Sequence, residues 1–214
     1  MTELDHLLWA APDLDAGIAA LAASTGATPA VGGSHPGFGT RNALLSLGSA
    51  YLEVIAPDPA QDLADNRGGR IAALPRPGLL TFAVRTPDLA GFAAAARAAG
   101  LSVGEPVAMS RTRPDGLRLA WAVQDADSGA HPHLVPFAID WQGSPHPAAT
   151  APAGCTLIDF AVLHPDPAPL AAIYAALRVP VAVRPAPRPG LTATLATPRG
   201  TVVLAEAGMD FAAA

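Results

Sequence analysis

The sequence predicts an α+β fold built from a repeated β-α-β-β-β module, and three observations carry that prediction. A short apolar run closing on Pro-Asp-Leu stands at Leu4 to Leu14 and returns at Gly78 to Leu89. Each run is followed by an Ala-rich segment that stops on glycine, Asp13 to Gly26 and then Asp88 to Gly100. A third, blurrier copy begins at Cys155, with Asp166 in the place of Asp13 and Asp88. The anchoring aspartates recur at roughly 75 and 78 residues, and a fixed period of this kind marks one structural unit used several times.

Within the first copy, Glu3 to Ala11 is too short and too apolar for an independent helix and is ended by Pro12, so it reads as a buried strand. Asp13 is an N-cap, since its carboxylate accepts from first-turn amides that have no other partner. Leu14, Ile18 and Leu21 follow at helical spacing, and Gly26 stops the helix. Ala27 to Val31 is a second strand and Gly32 to Thr40 a Gly-rich loop that lacks the Gly-Lys-Ser/Thr of a phosphate loop. Asn42 to Leu47 and Ala50 to Ala56 form a hairpin across Gly48-Ser49. The polar stretch from Asp58 to Pro77 is a connector or lid with a short helix around Asp62.

The second copy repeats the order. Leu79 to Arg85 is a strand, and a helix capped by Asp88 presents Leu89, Phe92 and Ala96 on one face. Strands follow at Val103 to Met109, Leu117 to Val123 and Leu134 to Trp141, the first two joined by a tight turn over Arg113 to Gly116. Gly143 to Gly154, rich in Pro, Ala and Ser, is a linker. In the third copy Thr156 to Leu163 is a strand, and Pro167 and Pro169 fall in a first helical turn, where a missing amide costs least. That helix runs to about Leu177, and Val181 to Arg184, Leu191 to Thr197 and Thr201 to Glu206 complete the strands. The tail ending in Ala212 to Ala214 reads as loose. The boundaries are module 1 at 1–57, connector 58–77, module 2 at 78–142, linker 143–154, and a degenerate module 3 at 155–208.

Composition narrows the function. The chain has 214 residues, a formal charge of −5 and no lysine among its 13 basic residues. With 5% aromatic residues and no basic stripe, it offers nucleic acid neither an electrostatic track nor a stacking platform. Mean hydropathy is +0.31, yet no run approaches the ~18 uninterrupted apolar residues of a membrane span. The acidic start MTELDHLL does not read as a secretory signal, so a cytoplasmic protein is expected. The single Cys155 lies in an apolar run and reads as a small buried residue.

The modules resemble the glyoxalase-like domain proteins of the vicinal oxygen chelate superfamily. The residues that carry the likeness are Leu4-Asp5-His6 with Pro12-Asp13-Leu14, Gly39 to Leu45, Tyr51 to Pro57, Arg111 to Gly116, and Phe137 to Trp141. The resemblance implies two modules forming a curved mixed sheet that cups a ligand site. It also implies a divalent ion, Zn, Ni, Mn or Fe(II), held by His or Gln and Glu from the first and fourth strands of each module. The ion chelates neighbouring oxygens of a small molecule and polarises them. The implied activity is a lyase, isomerase or dioxygenase; a metal-free small-molecule binding protein is the alternative. The implied partner is a small molecule, with the chain a monomer or homodimer.

In that pattern His6 and Glu53 take the first- and fourth-strand metal positions, and either Glu53 or a displaced water moves the proton. In the second copy Leu80 stands opposite His6, leaving Asp140 as third ligand. If the third copy is the partner, Asp159 falls opposite His6 and Leu204 opposite Glu53. His35, Arg41 and Asn42 are candidate substrate contacts, and Arg111 and Arg113 alternate to one side, where they could clamp a carboxylate. His131 and His133 also share a side and could form an adjacent metal site, but they lie in a Pro/Gly loop that reads as solvated. His164, before Pro165, reads as structural. Trp9 and Trp141 either line the cavity or fill the core. The third module is expected to cover the cup or a sheet edge.

Overall fold

The computed structural model describes residues 2–113 and 116–207. Strand β1 (Glu3–Ala10) enters α1 (Leu14–Thr25) through Asp13, whose Oδ1 accepts from the Ala16 amide at 2.8 Å. Gly26 ends α1 at φ 79°, a left-handed conformation that glycine adopts without a Cβ clash. The module continues with β2 (Ala30–His35), β3 (Thr40–Ser46) and β4 (Tyr51–Pro57), and α2 (Arg67–Ala72) lies in the connector. The second module comprises β5 (Gly78–Arg85), α3 (Leu89–Ala98), β6 (Ser102–Val103), β7 (Val107–Thr112), β8 (Arg118–Gln124), β9 (Ala126–Asp127) and β10 (Phe137–Asp140). The third holds β11 (Thr156–His164), α4 (Pro167–Leu177), β12 (Ala182–Pro185), β13 (Gly190–Thr197) and β14 (Gly200–Ala205).

Several elements depart from expectation for identifiable reasons. The Gly-rich segment is a strand as far as His35, because its glycines carry β2 past neighbours that a side chain would strike. A Cβ on Gly32 would come within 2.3 Å of both Arg111 Nη1 and Asn42 Oδ1. The connector helix starts at Arg67 because Asn66 is the N-cap, its side chain accepting from the Gly69 amide. The strand expected over Val103 to Met109 splits into β6 and β7 around Pro106, which has no amide to give a ladder. In the turn expected over Arg113 to Gly116, Pro114 and Asp115 lie outside the described residues, as does the Ala212 to Ala214 tail.

Modules one and two share one eight-stranded sheet in the order β2-β3-β4-β1-β5-β10-β8-β7, joined where β1 and β5 run antiparallel. Each half therefore has the same order, first-fourth-third-second strand, around a pseudo-twofold seam. The sheet curls until β2 lies beside β7, where a Cβ on Gly33 would meet the Thr112 carbonyl oxygen at 3.2 Å. The result is a nearly closed cup. His6 and Leu8 of β1, Asn42 of β3 and Tyr51, Glu53 and Ile55 of β4 face inward, with Met109, Arg111, Trp121, Val123, Phe137 and Ile139 from the other half.

Two bulges in the seam matter for the site. The register passes from Leu4↔Val84 to His6↔Ala83, so Asp5 is an extra, unpaired residue. It passes again from Leu8↔Thr81 to Trp9↔Leu79, so Leu80 is the extra residue on β5. Counting from the capping aspartates corrects the alignment of the copies. Thr81, not Leu80, stands the same seven residues before its cap Asp88 as His6 stands before Asp13, and its hydroxyl donates to the His133 carbonyl at 2.9 Å. By the same count Glu206, not Leu204, matches Glu53 in the third copy, and His133 Nε2 lies 2.5 Å from its carboxylate.

The third module keeps the element order but not the pairing. Its sheet runs β12-β11-β13-β14, with β11 parallel to β12, whereas β1 pairs in parallel with β4. It packs on the convex side of the large sheet, and none of its described residues lines the cavity of the cup. Leu7, Trp9, Val54, Phe82 and Val84 of the sheet, Leu14 and Leu21 of α1 and Phe92 of α3 form one core with Phe160, Leu170, Tyr174 and Leu195 of the third module. The Phe82 and Phe160 rings meet edge to face at 4.9 Å, and the Tyr174 hydroxyl donates to the Leu134 carbonyl. Trp9 and Cys155 belong to this core. Ile71 and Leu74, at the end of the connector, pack on Leu8 and Ile55 and close one end of the cup.

Gly68 fixes that closure: its Cβ would fall 1.9 Å from the Gly39 carbonyl oxygen, a backbone atom that cannot swing away. Gly68→Ala is therefore expected to cost about 1–3 kcal/mol through overpacking. Denaturant unfolding checks this, and a midpoint equal to wild type would show that α2 docks without that contact.

Candidate active site

The cup holds a cavity of about 70 Å³ whose polar lining comes mostly from the first module. Strand alternation puts His6, Asn42 and Glu53 inward from β1, β3 and β4, and all three are buried. His6 Nε2 lies 3.5 Å from Glu53 Oε2, and Asn42 Nδ2 donates to Glu53 Oε1 at 2.6 Å. His35, at the end of β2, reaches the same carboxylate: its Nε2 is 3.7 Å from Glu53 Oε1 and 3.2 Å from Asn42 Nδ2. Its Nδ1 is 3.0 Å from Thr40 Oγ1. Burial pushes the His35 pKa down, so the ring is neutral, with Nδ1–H donating to Thr40 and Nε2 accepting from Asn42.

Behind His6 stands Asp5, wholly buried. Neighbouring strand residues ordinarily point to opposite faces, but the bulge re-aims Asp5 so that its Oδ1 lies 2.6 Å from His6 Nδ1. Its Oδ2 accepts from Trp141 Nε1 at 2.9 Å and contacts His146 Nε2 at 3.0 Å. Burial would raise the Asp5 carboxyl, but the hydrogen bonds from His146 and His6 outweigh it and hold the group below the usual carboxylate range. Burial also opposes charge on His6; the bonds to Asp5 and Glu53 prevail and raise its pKa to about 9. For Glu53, burial acts upward and the His6 bond and charge bring it down to about 2. The His6 ring stacks on Tyr51, centroids 4.6 Å apart and 14° between planes, with the Phe137 edge at 5.6 Å.

Two buried atoms in this lining have no partner among the described residues: Asn42 Oδ1, an acceptor, and Arg111 Nε, a donor. The Arg111 side chain, 5% exposed, has no carboxylate within ion-pair distance among the described residues. Unpaired buried groups of this kind cost about 1–3 kcal/mol each, and a bound molecule that satisfies both removes the cost.

The remaining expected residues lie elsewhere. Arg41 alternates with Asn42 and points to the outer face of β3. Arg113 bonds Thr150 Oγ1 at 3.2 Å, outside the cup. Asp140 is on the wrong side of β10: Phe137 and Ile139 face the cavity, while Asp140 caps the Gln142 amide at 2.9 Å. Asp159 is paired with Arg184 at 2.6 Å on the third module. His131 packs edge to face on His164, centroids 4.8 Å apart, between the second and third modules. The groups unforeseen in the sequence are Asp5, Tyr51, Trp121 and His146.

These placements test the metal that the resemblance implies. His6 and Glu53 are side by side, with Asp5 orienting the imidazole as metal-bound histidines require. Asp140 does not join them, and the facing positions of the second half are Thr81, Phe137 and Ile139. Among the described residues no three His, Cys, Asp or Glu side chains form a group able to hold a metal ion. The side chains of the described residues do not fit a protein-held divalent ion.

Comparison with known proteins places the fold. Residues 4–178 match the Glyoxalase-like domain. The chain belongs to the glyoxalase-like domain family, and so to the vicinal oxygen chelate superfamily. A hypothetical protein from Staphylococcus aureus is similar over 96% of this chain and 85% of its own, at 13% identity and TM-score 0.64. A methylmalonyl-CoA epimerase from Streptomyces coelicolor, in complex with 2-nitronate-propionyl-CoA, covers 67% of this chain with 97% of its own, at 22% identity and TM-score 0.50. A methylmalonyl-CoA epimerase in complex with methylmalonyl-CoA and NH4+ covers 68% with 99% of its own, again at 22% identity and TM-score 0.50. No curated protein matches the sequence. Among the described residues no helix of this glyoxalase-like chain is long and apolar enough to cross a membrane.

The coupled pair at the centre of this glyoxalase-like cup makes its stability pH-dependent in two directions. Glu53, lowered from 4.5 to about 2, contributes stability above pH 4.5 that is lost as pH falls toward 2. His6, raised from 6.5 to about 9, contributes below pH 6.5 and loses that contribution as pH rises through about 9. Urea midpoints are therefore expected to be highest between about pH 4.5 and 6.5 and to fall on both sides. In His6→Gln the alkaline fall should vanish; a fall of undiminished size there would assign it to other groups.

Proposed function

We propose that the cup is the active site of an enzyme of the isomerase or lyase type acting on a small α-hydroxycarbonyl metabolite. The observation that carries the reading is the Glu53–His6 contact beside two unpaired buried atoms of opposite character. A hydroxyl on one carbon donates to Asn42 Oδ1, and the oxygen on the next accepts from the Arg111 guanidinium. Vicinal oxygens, one a donor and one an acceptor, satisfy both groups at once.

With the molecule so held, Glu53 takes the proton from the carbon between hydroxyl and carbonyl. The electron pair moves to the carbonyl oxygen, and Arg111 stabilises the enediolate charge that develops there. His6 returns its Nε2 proton to the intermediate, and transfer from Glu53 to His6 resets the pair. No oxidant or further reactant is consumed. The second half supplies apolar walls that exclude water, and because β2 closes against β7 each cup is complete within one chain, as a monomer requires.

The test is proton exchange in heavy water with a panel of small α-hydroxycarbonyl and α-keto compounds, followed by NMR. Deuterium should enter the substrate carbon with wild type and not with Glu53→Gln. Equal binding by both proteins with no exchange by either would replace this reading with sequestration, which the apolar second-half walls would also serve. Exchange abolished by a chelator and restored by Zn, Ni, Mn or Fe(II) would replace it with a metal-centred one.

A further inference from the structure

We infer that His146 and Trp141, at the junction between modules two and three, are positioning residues of the active site: they lock Asp5, and through it the orientation of His6 and the proton on its Nδ1. The proton-transfer reading is needed only for the kinetic part of the test below.

The bulge carries the Asp5 carboxylate into the interior. A buried carboxylate is costly unless its oxygens are saturated by donors. Trp141 Nε1 and His146 Nε2 both converge on Oδ2, at 2.9 and 3.0 Å. That leaves Oδ1 for His6, and the 2.6 Å contact fixes a proton on His6 Nδ1 and turns Nε2 toward Glu53. Had Oδ2 been free, the carboxylate could rotate and the imidazole could follow it.

The bonding of His146 shows how its own ring is set. Its Nδ1 accepts from the Ala148 amide at 3.3 Å at the start of the short 3-10 helix Pro147–Ala149, so its proton sits on Nε2, facing Asp5. The segment is tied down on both sides. Ser46 Oγ donates to the Ala148 carbonyl at 2.9 Å, the Ser46 amide to the Pro152 carbonyl at 2.8 Å, and the Ser144 hydroxyl to the Ala120 carbonyl at 2.8 Å. The His146 ring also lies edge-on to Tyr51 and Trp141, centroids 5.6 and 5.8 Å away, and covers Asp5 from solvent. What reads as a Pro-rich spacer is a strap across the back of the site, and Glu53, His6, Asp5 and His146 form one connected row from the cavity to a half-buried ring.

The experiment is ring N–H NMR on the full chain. Wild type should show a strongly downfield, slowly exchanging ring proton that disappears in His6→Gln and so belongs to His6 Nδ1. In His146→Ala and in Trp141→Phe that proton should exchange with water about tenfold faster or more, with the backbone amide spectrum otherwise retained. His146→Gln, whose side-chain amide can donate to Oδ2, should restore the wild-type rate. With a turned-over substrate, kcat should fall about tenfold in His146→Ala with KM held, and recover in His146→Gln, as expected for a misaimed proton carrier. A His6 ring proton exchanging at the wild-type rate in both His146→Ala and Trp141→Phe overturns the inference. If His146→Ala does not fold, Trp141→Phe decides by the same readout, and absence of turnover leaves the NMR result to stand alone.

Discussion

Glu53→Gln is expected to lower turnover by a factor of about 10²–10⁴, the range lost when a positioned acid or base is removed. The substitution keeps the shape and the Asn42 contact, since the glutamine oxygen can still accept from Nδ2. It removes the charge that holds the His6 imidazolium, so the His6 pKa should fall from about 9. Burial, the largest influence on that ring, then acts with Asp5 alone against it. Two readouts separate the causes: ligand affinity should change little, while exchange at the substrate carbon should be lost. A Glu53→Gln protein that exchanges that proton at the wild-type rate would remove Glu53 from the reaction.

Asp5→Ala should be the most destabilising single change in the site, by about 3–5 kcal/mol, the cost of removing one partner of a buried charge network. Three nitrogen donors, on His6, Trp141 and His146, converge on this one carboxylate, and alanine leaves all three without an acceptor. Against a total stability of about 5–15 kcal/mol the loss is large enough to read in a urea midpoint. A shift within about 0.5 kcal/mol, the size of an ordinary surface substitution, would mean that water replaces the carboxylate at no cost.

Much of this architecture is legible in the amino-acid order, because the caps Asp13 and Asp88 and the recurring spacing are local signals. His6 and Glu53 are legible for the same reason: a titratable group inside a short apolar strand has few places to point. The rest depends on strand parity and bulges, which no local signal sets. Arg41 and Asn42 are adjacent candidates, yet alternation admits one of them to the cup, and only the register shows that it is Asn42. Asp140 shares a side with Ala138, but the inward side of β10 belongs to Phe137 and Ile139. Asp5 looks as though it should face away from His6 until the bulge turns it. His146 sits in a Pro-rich segment whose composition gives no sign that its ring reaches a buried carboxylate 141 residues earlier.

The two halves of the cup, alike in backbone, are unlike in what they bring. His6, His35, Asn42 and Glu53 come from the first repeat; the second adds Arg111 to a wall of Met109, Trp121, Val123, Phe137 and Ile139. Duplication has here left one half of the lining largely polar and the other largely apolar. On the proposed reading, substitutions confined to the second repeat's apolar walls would reshape what the cavity admits while His6 and Glu53 stay in place, so one repeat could change the preference and leave its twin untouched.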